Sequence, residues 1–591
     1  MAGYHSIRNV RTIEMASNNQ FRKNPIETQD ILEPEGAGVH RLGTFLKNKV
    51  LKTAITFAAA IVSGFGSASF GKRGMIFAVG ILALTLGATS CWKMTGVGGD
   101  TDTNMDVDTD VDADSDSGEM KDDVDADSDS GEMKEGLAWA KRAGGSSLEE
   151  GKDMVALTDG SAIVTGCFGE TMVFGEGELN ETILVSRGPK DLFVAKYNPD
   201  GTLEWAKGAG GVNYDRGECV DALEDGTLIV AGRVGGTIIF GEGEENEITL
   251  NPEGEEDAFI AKYTSDGTLT WVKSVGGTNG DSAFGISMLA GGSSIITGRF
   301  SGEVLFGEGE ENETTLNTTD GSAAVIAKYN SDGTLAWAKN SGGAMALSVD
   351  TFKDSSSVIV GDFGKSTTFE AGEENETVLS SDGVNGVFIA KYNPDGTLAW
   401  AKKVGSGTDY IYLREVVTSG DGSFTTGYFF GDIVFAEGES AEATLHSEGE
   451  EDIFIAKHNS DGTLAWVRRI GETGDDQGKS ISSLDGSVFL TGHFSQEVIF
   501  GEGEKNETIL VSGGARDIFV AKYDPNGNLA HAMQIGGTGN NSGQAIALLE
   551  DAVFLAGSLS NTVVFGEGEL NETSLTSAGG IDIFITKYWK E

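Results

Sequence analysis

The sequence predicts an all-β fold, a seven-bladed β-propeller closed by its own N-terminal strand, and three observations predict it. Trp recurs at Trp139, Trp205, Trp271, Trp337, Trp400 and Trp466, with His531 in the seventh place, at spacings of 63 to 66 residues. Each interval carries two hairpin patterns and no sustained helical period, and a long fixed period of strands signals radial repetition. The ends of the array are complementary. It begins at 137–142 with an outer strand that no third strand precedes, and stops at 581–589 with a third strand that no outer strand follows. Joining them completes the seventh blade and leaves no orphan edge.

Within a repeat the first hairpin is DLFVAKY-NPDG-TLEWAK at 191–207. Alternating apolar residues flank an Asx-started turn in which Gly takes the positive φ, as at Asn198 to Gly201 and Asn330 to Gly333. A Gly-rich loop comes after it. Its repeated acidic or amide residue (Glu149, Asp215, Asp281, Asp409, Asp476, Asn541) is expected to cap backbone N–H groups. A second hairpin comes next, such as VDAL-EDG-TLIVAG, and then an acidic ribbon, FGEGExNETxL, beginning at Phe174 in the first copy. Each unit is therefore four main strands with a short ribbon between the second and third. Gly at 86 of 591 residues, roughly twice the usual ~7%, suits a chain made of tight turns.

Charge is unevenly placed. The chain carries 42 basic and 92 acidic residues, net -50, which excludes nucleic-acid binding through phosphate attraction. Residues 1–98 hold 11 basic and 5 acidic side chains, whereas 99–135 hold 16 acidic and 2 basic. The chain divides into four segments: a polar region at 1–73, read as an untranslated upstream extension or a cytoplasmic head; a signal peptide or membrane anchor at 74–91; an acidic tether at 92–136; and the propeller at 137–591. The second segment has a basic flank at Lys72-Arg73, an apolar run from Met75 to Leu86 and small residues ending in Ala88-Thr89-Ser90-Cys91. It resembles the lipobox of bacterial lipoproteins. That resemblance implies a lipidated Cys91 and a location in the bacterial cell envelope, facing outward on outer membrane, periplasm or cell surface. A transmembrane helix is the alternative, and the run is short for one; secretion is a third outcome.

The tether repeats VDADSDSGEMK at 111–121 and 124–134. Like charge and scarce apolar side chains predict disorder. Asp112, Asp114 and Asp116 alternate as calcium-loop ligands do, but Ser117 stands where such a loop needs Gly, and no Glu closes it. Glu176 and Glu178 of the ribbon are the other calcium candidates, weighed against a solvated, aggregation-blocking edge. No cofactor other than calcium is expected.

The signature DIFVAKYNPDGTLxWxK…GG…DG…TGxF resembles the SBBP-type repeat of secreted and surface proteins of bacteria. The resemblance covers 137–591 and implies a seven-bladed propeller, with no single activity attached. No nucleophile elbow, phosphate loop or zinc spacing occurs in the repeats. A non-catalytic binding or scaffolding module is the expected function; a quinone-dependent dehydrogenase-like propeller and a structural surface-layer component are the alternatives. Each second strand ends in Gly and then one varied residue: Cys167, Arg233, Arg299, Asp362, Tyr428, His493 and Ser558. Unlike side chains on a repeated frame form a candidate binding rim, with Arg233 and Arg299 as a basic spot for an acidic surface glycan or a protein ligand.

Overall fold

The propeller is built from seven antiparallel four-stranded sheets. The structure, a computed structural model, describes residues 136–340 and 344–590. Cys91, Asp112, Asp114 and Asp116 lie outside the described residues, as do the segments that hold them. Blade one comprises Glu150–Ala156, Ala162–Phe168, Asp191–Tyr197 and Leu203–Gly211, from channel to periphery. Blade seven takes Ser542–Leu548, Ala552–Leu559 and Asp582–Trp589 from one end of the chain, and its outermost strand, Gly136–Gly145, from the other. The register of that clasp runs from Gly136 opposite Trp589 to Ala143 opposite Ile583. The expected closure is thus the observed one.

Alternation along the strands buries side chains from both faces of every sheet. Seven apolar clusters result, each drawn from two adjacent blades; one joins Phe554 and Ile583 of blade seven to Met154 and Phe193 of blade one. The ribbons bind blades together. Thr171–Phe174 and Thr182–Val185 of blade one extend the sheet of blade seven, Val173 lying opposite Gly144. The first Phe of each ribbon is fully buried, and in blade one its ring sits 5.2 Å from Phe193.

The repeated Trp reaches forward to the next blade. Trp139 Nε1 donates to the Pro199 carbonyl at 3.0 Å, and Trp271 to that of Ser331 at 3.3 Å. The indole then lies over the turn glycine. Gly333 has a φ of +84°, and a Cβ there would meet Trp271 at 2.9 Å. Gly309, with a φ of +73°, has nothing within 4 Å of such a Cβ. Gly309→Ala should therefore cost only the left-handed backbone strain, about 1 kcal/mol. Gly333→Ala should cost about 2–3 kcal/mol because the indole must also move. Equal losses in urea melts would show that the tryptophan contact contributes nothing.

His531 is exposed and has no such turn to meet. The third and outermost strands of blade seven come from different parts of the chain, so no hairpin joins them. A cavity of about 720 Å³, lined by His531, Met533, Tyr588 and Trp589, lies where the turn would be. Among the described residues no helix is long and apolar enough to cross a membrane.

Candidate functional site: the channel and its rim

The seven innermost strands line a central channel, and every one carries a β-bulge at the same place. A bulge inserts an extra residue and re-aims the neighbouring side chains. The inserted residues are Lys152, Glu218, Phe284, Leu347, Arg414, Lys479 and Gln544, and all seven line one cavity of about 240 Å³ at the channel mouth.

Below the mouth, side chains latch each blade to the next. Asp153 accepts from Val220 N at 2.8 Å, Asp221 from Met288 N at 2.6 Å, Asp350 from Thr418 N at 2.7 Å and Glu415 from Ile481 N at 2.6 Å. Ser480 accepts from Ile546 N at 3.0 Å in the same manner. The innermost strand is an edge strand, and these oxygens satisfy N–H groups that no strand pairs. Burial pushes Asp153 up to about 6, Asp221 to about 7 and Glu415 to about 8. The two backbone bonds to Asp153 pull the other way and do not offset the burial.

Four of the six loop residues cap as expected; Glu149 does not, its two carboxylate oxygens being buried without a hydrogen-bond partner. Asp215 accepts from Gly211 N at 2.7 Å and Gly235 N at 2.9 Å, and Asp281 accepts from Gly277 N and Ser301 N, each at 2.8 Å. Asp476 and Asn541 take the same part, with Ser495 N and Ser560 N as donors. Burial, ahead of the neighbouring carboxylates, pushes Asp215 up to about 7 and Asp476 to about 8. Asp409 departs from the pattern: its described bond is from the Thr408 hydroxyl, and the amide of Asn385 reaches Ile411 instead.

The rim residues stand at one end of the ring, each opposite the inner-strand residue two positions before the bulge. The pairs are Glu150 with Cys167, Arg216 with Arg233, Ser282 with Arg299, Met345 with Asp362, Tyr412 with Tyr428, Gln477 with His493, and Ser542 with Ser558. They share a level but not an environment. Cys167, Tyr428 and His493 are buried, whereas Arg299, Asp362 and Ser558 are half-buried. Arg233 pairs with Glu256 at 3.0 Å and with Glu218 at 3.4 Å. The basic spot expected from Arg233 and Arg299 is therefore neutralised on the Arg233 side. His493 Nδ1 meets the Ser542 hydroxyl at 3.0 Å, and its Nε2 is buried without a partner.

The ribbon carboxylates are engaged by cations of the chain itself. Glu178 pairs with Lys141 at 2.6 Å and accepts from Leu203 N at 2.6 Å; Glu176 pairs with Arg142 at 2.7 Å. The Asn of the NET triplet is structural too, as Asn180 donates to the Leu203 carbonyl at 3.2 Å. Among the described residues no three His, Cys, Asp or Glu side chains cluster as metal ligands. Cys167 and Cys219 are both free thiols.

No family model matches the chain. It is 22% identical over 467 residues to an uncharacterized WD repeat-containing protein of Acanthamoeba polyphaga mimivirus, an alignment covering 66% of this chain and 34% of that protein. It is 26% identical over 220 residues to the regulatory protein FlaEY of Caulobacter vibrioides, covering 35% of this chain and 22% of that one. The chain thus spans about a third or less of the length of these relatives. Among solved structures, the WD40 β-propeller domain of Doa1 is similar at 11% identity and a TM-score of 0.33, covering 76% of this chain and 97% of that domain. The fold rests on the strand pairing of the chain itself, which makes it a β-propeller of repeated four-stranded units.

Proposed function

We propose that this chain is a non-catalytic binding or scaffolding module of the bacterial cell envelope, held at the membrane through Cys91 and the acidic tether at 92–136. The observation that carries the binding role is the rim. Backbone, core, ribbons and loop caps repeat from blade to blade, while the residues at one end of the channel differ in size, charge and ring content. A frame that repeats around unlike side chains makes an asymmetric, concave, polar site. The ligand is a surface glycan or a protein. An array of both, probed with wild type and with a folded Arg299→Ala, Tyr428→Ala, His493→Ala variant, tests it; a variant that keeps every interaction overturns the rim as the binding surface.

The anchor has its own test. Cys91→Ala should move the protein from the detergent phase to the aqueous phase on phase separation, or leave its N-terminus uncleaved by mass spectrometry. Unchanged partitioning together with an intact wild-type N-terminus would replace the lipid by a membrane-spanning segment. The reading needs no cofactor. Calcium at Asp112, Asp114 and Asp116 is its one metal alternative, and calcium titration calorimetry on the full chain decides it.

A further inference from the structure

We infer that the channel mouth at blades five and six binds an acidic saccharide, Arg414 and Lys479 holding its carboxylate while the tyrosines of blade five stack on its ring. The inference rests on the binding-module reading and gives that module a place and a ligand class. Blade five alone puts an aromatic pair at the cross-strand rim position, Tyr412 opposite Tyr428 with ring centroids 5.2 Å apart. Tyr410 stacks on Tyr412 at 6.2 Å with an interplanar angle of 7°, and it is 49% exposed. The bulged residues of two adjacent blades converge on one of these rings. The Arg414 guanidinium lies 5.4 Å from the Tyr428 centroid, and the Lys479 ammonium 5.2 Å from it.

Among the described residues neither cation forms an ion pair. Lys479 donates to the neutral Gln477 side chain at 2.5 Å. Nearby carboxylates are turned to other donors, Asp475 to Arg516 and Glu451 to the Gln477 amide. Burial, then the like charges of Arg414 and Arg516, push Lys479 down to about 7. Arg414 and Lys479 meet at the mouth without an ion pair of their own, although Asp153, Glu218 and Glu415 line the same cavity and Glu451 and Asp475 act on Lys479 from nearby; the unpartnered Nε2 of His493 lies in the field of both cations. Aromatic faces take the C–H face of a pyranose ring, and charge-assisted bonds take its carboxylate. A net charge of -50 repels dense polyanions at long range, so a short saccharide with isolated carboxylates suits the site better than a heavily sulfated or phosphorylated polymer.

The probe is a galacturonate tetrasaccharide at low salt, with its methyl ester as the uncharged counterpart, titrated into the full chain by calorimetry. Wild type should bind the acid at least about tenfold more tightly than the ester, and the double change Arg414→Gln, Lys479→Gln should remove that preference. Tyr410→Ala, on a half-exposed ring, should weaken acid and ester alike by about fivefold. Acid and ester bound equally, no binding of either, or a double variant of unchanged melting temperature that binds the acid as wild type does, would each overturn the inference. If Arg299→Gln abolishes binding and the double variant does not, this placement falls while the binding-module reading stands.

Discussion

Removing residues 137–145 should lower the melting temperature of the propeller by more than about 15 °C and drive association through the exposed third strand of blade seven. The deletion takes away the outermost strand of that blade and with it a full ladder from Leu137–Tyr588 to Ala143–Ile583. Leu137, Trp139, Ala140 and Ala143 are all buried, and loss of a buried Trp alone costs about 3–5 kcal/mol. Polar links go as well: Thr586 donates to the Trp139 carbonyl at 2.8 Å, Asn571 to that of Leu137 at 3.0 Å, and Arg142 pairs with Asp582. Asp582 is fully buried, so its loss of Arg142 leaves a carboxylate short of a partner. A deletion of equal length at 100–108, in the acidic tether, should leave the melting temperature unchanged. Calorimetry and size-exclusion chromatography of the two proteins make the comparison. Matching melts would show that blade seven does not depend on its N-terminal strand.

The second large effect is one of pH. Stability should be higher at pH 5.5 than at pH 8.5, by roughly 5–10 °C in melting temperature. Burial raises the folded-state values of Asp153 and Asp281 to about 6, of Glu149, Asp215 and Asp221 to about 7, and of Glu415 and Asp476 to about 8. Unfolded carboxyls titrate near ~4, so between those limits the folded ring holds more protons than the unfolded chain. Each such group stabilises fully below the unfolded value and ceases to do so as pH rises through 6 to 8. Groups of opposite sign set the acid limit. Glu150, held near 2 by Lys152 and Lys190 against its burial, and buried His458, at about 4, contribute fully only above their unfolded values of about 4 and about 6.5 and lose that contribution as pH falls through the folded ones. Lys479 alone among the named groups works against the alkaline decline. Asp221→Asn with Glu415→Gln should flatten the profile on the alkaline side. A melting temperature that is level from pH 5.5 to 8.5 in wild type would mean that these carboxylates are ionised throughout. The ring already contains one such neutral replacement: Asn541 keeps the loop cap to Ser560 N and turns its amide toward Asp517 at 3.5 Å.

Much of this architecture was legible because repetition makes a sequence its own comparison. Seven copies identified the strands and turns, and the unmatched strand at each end identified the closure. The capping acids could be anticipated as well, since a loop residue of one chemical type that recurs on one frame has a backbone task. Three features were hidden. The latch carboxylates occupy two different positions, Asp153 and Glu415 directly after the bulge but Asp221 and Asp350 two residues further on, so no single column of the repeat shows them. The bulge also breaks alternation, and a residue such as Arg414 then points into the channel although its neighbours suggest otherwise. The bond from each Trp to a carbonyl about sixty residues ahead depends on how blades stack, which no local pattern encodes. The substitution of His531 carried a signal of that bond, because it falls at the one seam without a turn. The Arg233 side of the rim failed as a free basic spot for a related reason. Glu256 precedes the third strand and Glu218 is a bulge, so neither is a sequence neighbour of the arginine they neutralise.

The clasp gives the propeller a handle with a defined side. Gly136 pairs with Trp589, and Trp589 pairs with Ala552 at the start of the second strand, whereas Ser558 of the rim lies opposite Ile583 near the other end of the same sheet. Both ends of the propeller's chain therefore emerge on the face away from the rim. A tag, a surface coupling or a fused partner placed at either end will orient every molecule alike, with the channel mouth turned outward and unobstructed. Two such rings joined end to end by a short linker would present their mouths in opposite directions, so one linked pair could bridge two ligand-bearing surfaces.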